Sequence, residues 1–419
     1  MKVKGYSSKN QGIGAMFEDI YLIDGRRTPF GKMKGTMATV SPTDLAIMSS
    51  KAVIKETGID PSLIDQTIVA NICAGSADSF FLPRHIALYS GAPIPAPAVL
   101  MQRICGSGIE VIGQAAEQIG LGKGHLILAA GTENMTRMPL VSFAGRMGTD
   151  LGKPGFEDML WEALNDTAAV PMGATADNLA REYNLNRAEV DAIALASQER
   201  YAKAHSQGFF KGEIAGIDAK GVFEAQGLKP RKWKLNGKDP IDTDENPRAT
   251  NMEALFKLAP VFSKEGPTTA GNASGIVDGA CSVLLASRDF IQAHKIKPLG
   301  KIKAYASVGC RPDIMGIGPV PAIQSVLGEL KMNIDDIDLF EVNEAFAAQC
   351  LAVSHALKID HAKLNIHGGA IAIGHPLAAT GLRLVTTLLK SLHKYNKQTG
   401  VASACIGGGQ GIAMVVERC

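Results

Sequence analysis

Long apolar runs are what this 419-residue chain lacks first: none reaches the roughly 18 to 20 residues that a membrane-spanning helix needs. Residues 1–17 have no apolar core followed by small-residue cleavage chemistry, so no secretory signal is read there. The same stretch carries Lys2, Lys4 and Lys9 but no arginine, unlike an organellar presequence, and residues 1–18 are expected to be a short disordered extension of a cytoplasmic protein. The chain ends Glu417-Arg418-Cys419, without a peroxisomal tripeptide. Net charge is also lacking, at +2, so no overall field draws in nucleic acid or an anionic membrane. Cysteines are few and scattered: Cys73, Cys105, Cys281, Cys310, Cys350, Cys405 and Cys419 are odd in number and none forms a Cys-x-x-Cys pair. That excludes a disulfide framework, points to a reducing compartment and, with histidines that lack close ligand spacing, argues against a metal site.

What is present is an ordinary globular composition, 46% hydrophobic and 20% charged, in a chain long enough for two or three packed units. Strand-like alternation over 19–25 breaks at Arg27-Thr28-Pro29-Phe30-Gly31. Thr43-Asp44 is expected to cap a helix running to about Thr57, followed by a strand over 67–72, a helix after Cys105 and an apolar strand over 126–130. Such alternation implies an α/β fold with a mostly parallel sheet.

The pattern recurs. A helix over 319–330, a strand over 339–342, a helix from Gly374-His375-Pro376 to about Leu392 and a strand over 401–405 follow in the same order. Asn333 to Asp338 echoes Gly58 to Asp65. One α/β unit used twice is therefore expected, with halves at 19–295 and 296–419 and an inserted loop domain at about 133–267. The insertion holds the one dense basic run, Lys229-Pro230-Arg231-Lys232-Trp233-Lys234, which reads as a solvated irregular loop or as an electrostatic funnel for a phosphorylated substrate.

Cys105 lies in Gln102-Arg103-Ile104-Cys105-Gly106-Ser107-Gly108, just before an apolar ladder at helical spacing. A helix N-terminus there would favour a thiolate, although a buried cysteine in a glycine-rich turn fits the same residues. His375, Cys405 ahead of Ile406-Gly407-Gly408-Gly409, and Asn343 in Asn343-Glu344-Ala345-Phe346-Ala347 stand at other expected strand ends. Each has a structural reading singly; together they supply two thiols, an imidazole and an amide. The duplication would place the Cys105 and His375 turns in equivalent positions at a shared interface.

With Met172-Gly173 and Thr269-Ala270-Gly271-Asn272-Ala273-Ser274-Gly275 added, these motifs closely resemble the thiolase family over nearly the whole chain. The resemblance implies two βαβαβαββ halves in a layered α/β core. It implies cleavage of 3-ketoacyl-CoA by CoA, or the reverse condensation. Cys105 would be the acylated nucleophile and His375 its base, near neutral pH; Cys405, with its pKa lowered by its surroundings, would be the second acid and base. His375 with a water on Asn343 would stabilise one oxyanion, and the N–H groups of Cys105 and Gly407 the other. Ser274, Arg248, Met172 and Phe346 would line the CoA and acyl sites. CoA is then a substrate, no cofactor is bound, and a homodimer or homotetramer is expected, with a hydratase/dehydrogenase subunit as a further partner. Two departures stand out: Pro171 where acetoacetyl-CoA thiolases place a histidine, which weakens a short-chain assignment, and Ala378 where glycine is common. A ketosynthase-type condensing enzyme would not need Cys405. A CoA or lipid carrier would not need any of the four polar groups, and a reversible Cys105–Cys405 disulfide would be a regulatory addition.

Overall fold

The computed structural model describes residues 2–8, 12–152 and 154–419. A hairpin of β1 (Val3–Ser8) and β2 (Gly12–Phe17) leads into β3 (Ile20–Arg27), α1 (Pro42–Thr57), β4 (Gln66–Ala70), α2 (Leu82–Tyr89), β5 (Ala98–Met101), α3 (Ser107–Gly120) and β6 (Leu126–Glu133). The insertion carries α4 (Met172–Glu182) and α5 (Arg187–Ser206), and β7 (Val277–Ser287) closes the first half. The second half runs β8 (Gly300–Gly309), α6 (Pro319–Leu330), β9 (Leu339–Val342), α7 (Ala347–Leu357), α8 (Leu377–Lys394), β10 (Thr399–Ile406) and β11 (Gln410–Arg418). Among the described residues no helix is long and apolar enough to cross a membrane.

The duplication is explicit in the strand order. The first half reads β3-β7-β6-β4-β5 and the second β8-β11-β10-β9, where Leu364 bridges to Phe340 in the place of a fifth strand. Antiparallel pairing of β3 with β8 makes the two one sheet. Matching aspartates mark matching joints: Asp65 accepts the N–H groups of His125 and Leu126 at the start of β6, and Asp338 those of Gln398 and Thr399 at the start of β10.

Four sequence expectations need correction. The sheet is mixed rather than mostly parallel, because β7 and β11 each run antiparallel between two parallel neighbours. For β11 the cause is local: the Gly407-Gly408-Gly409 turn, with positive φ at Gly408 and Gly409, makes a hairpin with β10, and a hairpin is antiparallel by construction. Among the residues expected to form a disordered extension, 2–8 and 12–18 are ordered instead, since β1 pairs with β2, and β2 pairs with β8 and buries Ala15 and Phe17. The α1 N-cap is Ser41, whose hydroxyl accepts the Asp44 N–H at 3.0 Å; Asp44 instead carries charge in the first turn. Finally, the basic run is no irregular loop: Arg231–Lys234 pairs with Lys220–Phe223 as a hairpin.

Helices α3 and α8 each precede the equivalent strand of their half, and both pack against strands of both halves. Almost every residue of α8 from Leu377 to Leu392 is buried, as expected of a helix enclosed on all sides. The two helices touch backbone to backbone. A Cβ placed on Gly108 would lie 2.7 Å from Gly381 Cα, and one on Gly381 would strike the Ile109 amide more closely still. Gly381→Ala is therefore expected to cost about 3 kcal/mol or more, because main chain must yield to main chain. The control is Gly328→Ala in α6, which meets nothing within 4 Å and should gain about 0.5 kcal/mol. Thermal melts of the two variants check this; equal melting temperatures would remove the crossing as a constraint.

Candidate active site

Cys105 sits in a 3₁₀ turn, Ile104–Gly106, that runs directly into α3. Ile104 holds φ at +41°, a strained value for a β-branched residue. Gly106 has no room for a side chain against Ile406 at the end of β10, so the turn is pressed onto the second half. The Gly407 N–H reaches the Cys105 sulfur, as does the cysteine's own N–H. Even so, burial dominates and pushes the thiol up to about 12, with buried Glu133 adding to the rise. The expected thiolate at a helix N-terminus is thus corrected: desolvation outweighs the two amide donors.

His375 is 6% exposed and precedes α8 as Cys105 precedes α3. Its N–H donates to the Gly275 carbonyl at 3.0 Å, fixing the turn to the stretch before β7. Thr380 gives its one hydroxyl proton to the Pro376 carbonyl at 3.0 Å, so it accepts from His375 Nδ1 at 2.6 Å. That assigns the proton to Nδ1 and leaves a lone pair on Nε2, which faces Asn343 Nδ2 at 3.3 Å. Burial, then the Arg383 charge, pushes the imidazole down to about 3. It is neutral at pH 7 with margin, not poised near neutrality as expected.

Cys405 is fully buried at the end of β10. Burial, then the charge of Cys105, then that of Cys310, holds its thiol well above the ordinary value. The expected lowering is corrected as well. The two sulfurs are close enough for a charge on one to raise the other. Leu377, two residues beyond His375, packs in one apolar cluster with Cys105. Asn343 Nδ2 meets His375, its N–H donates to the Ser403 carbonyl at 2.8 Å, and its buried Oδ1 has no partner among the described residues.

The tip of the Met172 side chain lies over Gly407, and Met172 packs with Cys405, Met315, Ala345 and Phe346. Beside it opens a cleft of about 380 Å³ lined by Ile104, Met138, Met159, Met172 and Gly408. Phe346 meets Phe262 edge-on at 6.2 Å. Ser274 donates its N–H to the Ala345 carbonyl at 3.0 Å, placing it alongside Asn343 to Phe346. Arg248 is exposed, donates to the Ala270 carbonyl at 2.9 Å and borders a separate cleft with Tyr201, His205 and Pro247. The basic run is not brought to the site: Arg231 is taken up by Asp44 at 2.8 Å and Asp78 at 2.7 Å beside α1.

Three supporting residues escaped the sequence reading. Glu133 is fully buried and accepts the N–H groups of Ile72 at 2.7 Å and Cys73 at 3.1 Å, and that of Ala378, tying the loop after β4 to the start of α8. Burial pushes its carboxyl up to about 7. Glu344 receives Ser197 Oγ at 2.6 Å, Asn365 Nδ2 at 2.9 Å and the Ile371 N–H at 3.2 Å, and so holds the glycine-rich loop before His375. Thr380 fixes the tautomer. An acid ending an apolar strand was the available signal for Glu133; for Thr380 it was the i+5 spacing from His375.

Two buried thiols and a neutral imidazole, Cys105 and His375 where a helix of each lobe begins and Cys405 at the end of β10, are the groups a thiol-dependent acyl transferase needs on an α/β scaffold. The comparisons give this class its family. Residues 20–289 match the thiolase N-terminal domain and residues 296–418 the thiolase C-terminal domain. The chain is 42% identical to the mitochondrial 3-ketoacyl-CoA thiolase of Bos taurus, over 96% of this chain and 99% of that protein. It is 40% identical to the acetyl-CoA acetyltransferase of Pseudomonas aeruginosa, over 96% and 100%. The crystal structure of human mitochondrial 3-ketoacyl-CoA thiolase superposes with a TM-score of 0.89 at 40% identity, covering 96% of this chain and 98% of that one. The chain belongs to the thiolase family.

Because only the thiolate is nucleophilic, a thiol pushed up to about 12 should show no plateau near neutrality. Alkylation of Cys105 by iodoacetamide, followed by peptide mass spectrometry, is expected to accelerate about tenfold per pH unit from pH 7 to 9. A plateau below pH 8 would instead reveal a resting thiolate–imidazolium pair.

Proposed function

We propose that the chain is a thiolase acting through an acyl-cysteine on Cys105, cleaving 3-ketoacyl-CoA with CoA to acetyl-CoA and a shortened acyl-CoA, or running the reverse condensation. The observation that carries the reading is the Gly407 N–H directed at the Cys105 sulfur, with the Cys405 thiol within electrostatic reach of it. Since sulfur and imidazole are both neutral at rest, proton transfer to His375 Nε2 accompanies attack rather than preceding it. Sulfur bonds to the keto carbon, and the oxygen of that carbon takes negative charge opposite the Cys105 and Gly407 N–H groups. The C2–C3 bond then breaks, the carbonyl re-forms as a thioester on Cys105, and the electron pair passes to C2. The resulting enolate oxygen faces protonated His375 Nε2 and a water on Asn343, while Cys405 gives its proton to C2. An incoming CoA thiol returns a proton to Cys405 and attacks the thioester; Cys105 leaves and recovers its proton from His375. One sulfur cannot carry the acyl group and shuttle this proton at once, which separates the reading from a ketosynthase or a carrier.

CoA enters as a substrate, with Ser274 and Arg248 along its path, and no resident cofactor is part of the scheme. Met172 and Phe346 border the acyl end. Pro171 in place of a side chain that would narrow it, and the cleft of about 380 Å³ beside Met172, favour acyl chains longer than acetoacetyl. The same reading includes a reducing compartment, with the cytoplasm expected, supported by seven free thiols. It also includes a homodimer or homotetramer and a hydratase/dehydrogenase partner in the degradative direction. For the homo-oligomer the support is the edge strand β5, whose Val99 and Leu100 are 40% and 41% exposed, together with the exposed Phe80 and Phe81.

Thiolysis measured across a ladder of 3-ketoacyl-CoA lengths tests the chemistry. Cys105→Ala and Cys405→Ala are each expected to lose ~10³-fold or more in kcat, with the native rate higher on longer chains than on acetoacetyl-CoA. A Cys105→Ala protein as fast as the native one would sink the assignment. Light scattering on Val99→Lys/Leu100→Lys should report a smaller particle than the native protein; an unchanged mass would remove the β5 edge as the interface.

A further inference from the structure

The face of α1 turned towards the insertion hairpin carries a second, separate cavity. Its volume is about 600 Å³, within the range of small-molecule sites, and it shares no lining residue with the cleft beside Met172. The apolar lining comes from Met48 of α1, Ile217, Phe223 and Trp233. Phe223 and Trp233 stand side by side at 6.1 Å across the hairpin, and Gly221 leaves space for the indole. Lys51 and Lys55 line the same groove one helical turn apart, both exposed and with no ion-pair partner among the described residues. Arg26 completes it, only 8% exposed.

The donors here exceed the acceptors. Arg26 gives one nitrogen to Glu56 at 2.5 Å and another to the Lys211 carbonyl at 3.3 Å, while its Nε makes no hydrogen bond among the described residues and lies 3.9 Å from the Asp24 carboxylate. Trp233 Nε1 is likewise buried without one. Buried donors left unpaired cost free energy, and native structures keep few of them. Of the two acids in the groove, Glu56 is engaged by Arg26, which leaves Asp218 against two unpaired lysines. An apolar aromatic lining and two free ammonium groups call for a ligand with an apolar body and one anionic head.

We propose that this groove binds an aliphatic monocarboxylate, its tail against Phe223 and Trp233 and its head between Lys51 and Lys55 at the Arg26 end. Lysine heads on four-carbon stems can close over a carboxylate while their stems cover the tail. Attraction between exposed lysines and such a head weakens as salt rises, whereas burial of the tail does not.

The chain has two tryptophans, so Trp161→Phe leaves Trp233 as the only indole and makes its emission a reporter of this groove. The full-length Trp161→Phe protein is titrated at low ionic strength with decanoate, decanol and acetate, each below the concentration at which it self-associates. Expected is a saturable change with decanoate, at least tenfold weaker binding of decanol, and no response to acetate. Adding Lys51→Glu/Lys55→Glu should weaken decanoate at least tenfold, and Lys51→Arg/Lys55→Arg should restore it, with thiolysis unchanged in both. Equal affinity for decanol and decanoate, an equal response to acetate, unaltered binding after charge reversal, or no change in emission would each overturn the proposal.

Discussion

Everything at the catalytic centre depends on how closely α3 and α8 are allowed to cross. At Gly108 and Gly381 the two helices meet main chain to main chain, nearer than any side chain permits. Each helix begins at a turn that carries a candidate catalytic residue, Cys105 before α3 and His375 before α8. The separation of those turns is therefore set a few residues away, by two missing Cβ atoms. Glu133 then joins the same two elements from the side, through the N–H groups of Ile72, Cys73 and Ala378. Within such a frame a shift of either turn must be shared by the other, which is what a geometry held to a fraction of an ångström requires.

Enclosure by two lobes also sets the electrostatics. Burial raises both thiols and lowers the imidazole, so each resting group is in its neutral form. Charge separation before substrate arrives would be penalised by that same dry environment. In the proposed reaction a bound carbonyl would take negative charge onto an oxygen that backbone N–H groups can face, and the low dielectric would strengthen those contacts. The sulfur nearest the amide donors can then give up its proton at the moment of bonding. Cys405, with Cys105 beside it, is likewise held as a thiol, which suits the proton donor proposed for it.

The candidate residues that the structure brings together were legible in the sequence because each lies in a short motif at a strand end: Cys105 before an amphipathic ladder, Asn343 after a four-residue strand, Cys405 before three glycines. The helix at Pro319–Leu330 and the strand at Leu339–Val342 could be read to the residue, since proline and charged clusters bound them. Direction within the sheet was not legible, because alternation of strand and helix says nothing about a strand that returns by a hairpin or after an insertion of more than a hundred residues. Nor were the first two strands, whose alternation is short and broken by glycines, and whose pairing partner in β8 lies nearly 300 residues away. The pKa directions were missed for a related reason. A helix N-terminus is visible in a sequence, whereas the depth at which a second lobe buries it is not.

The same long-range logic explains the Arg27-Thr28-Pro29 motif, which stands nowhere near a reacting atom. Arg27 is fully buried and forms ion pairs with Glu213 and with Asp244, the latter through two nitrogens at 2.6 and 2.9 Å. Burial works against its charge, but the two carboxylates outweigh that and hold it protonated. Both acids belong to the insertion, Asp244 also receives the Tyr201 hydroxyl at 3.2 Å and the Phe30 N–H at 2.8 Å, and Glu213 receives Thr387 of α8 at 2.8 Å. One guanidinium thus fastens the insertion to β3 and, through Glu213, to the helix that follows His375. Removing Arg27 would strand two carboxylates in the interior, whereas removing either acid would leave the guanidinium with one partner, so the arginine is the member on which the cluster depends. The same insertion supplies Met172, which lies over Gly407 and borders the cleft proposed for the acyl chain.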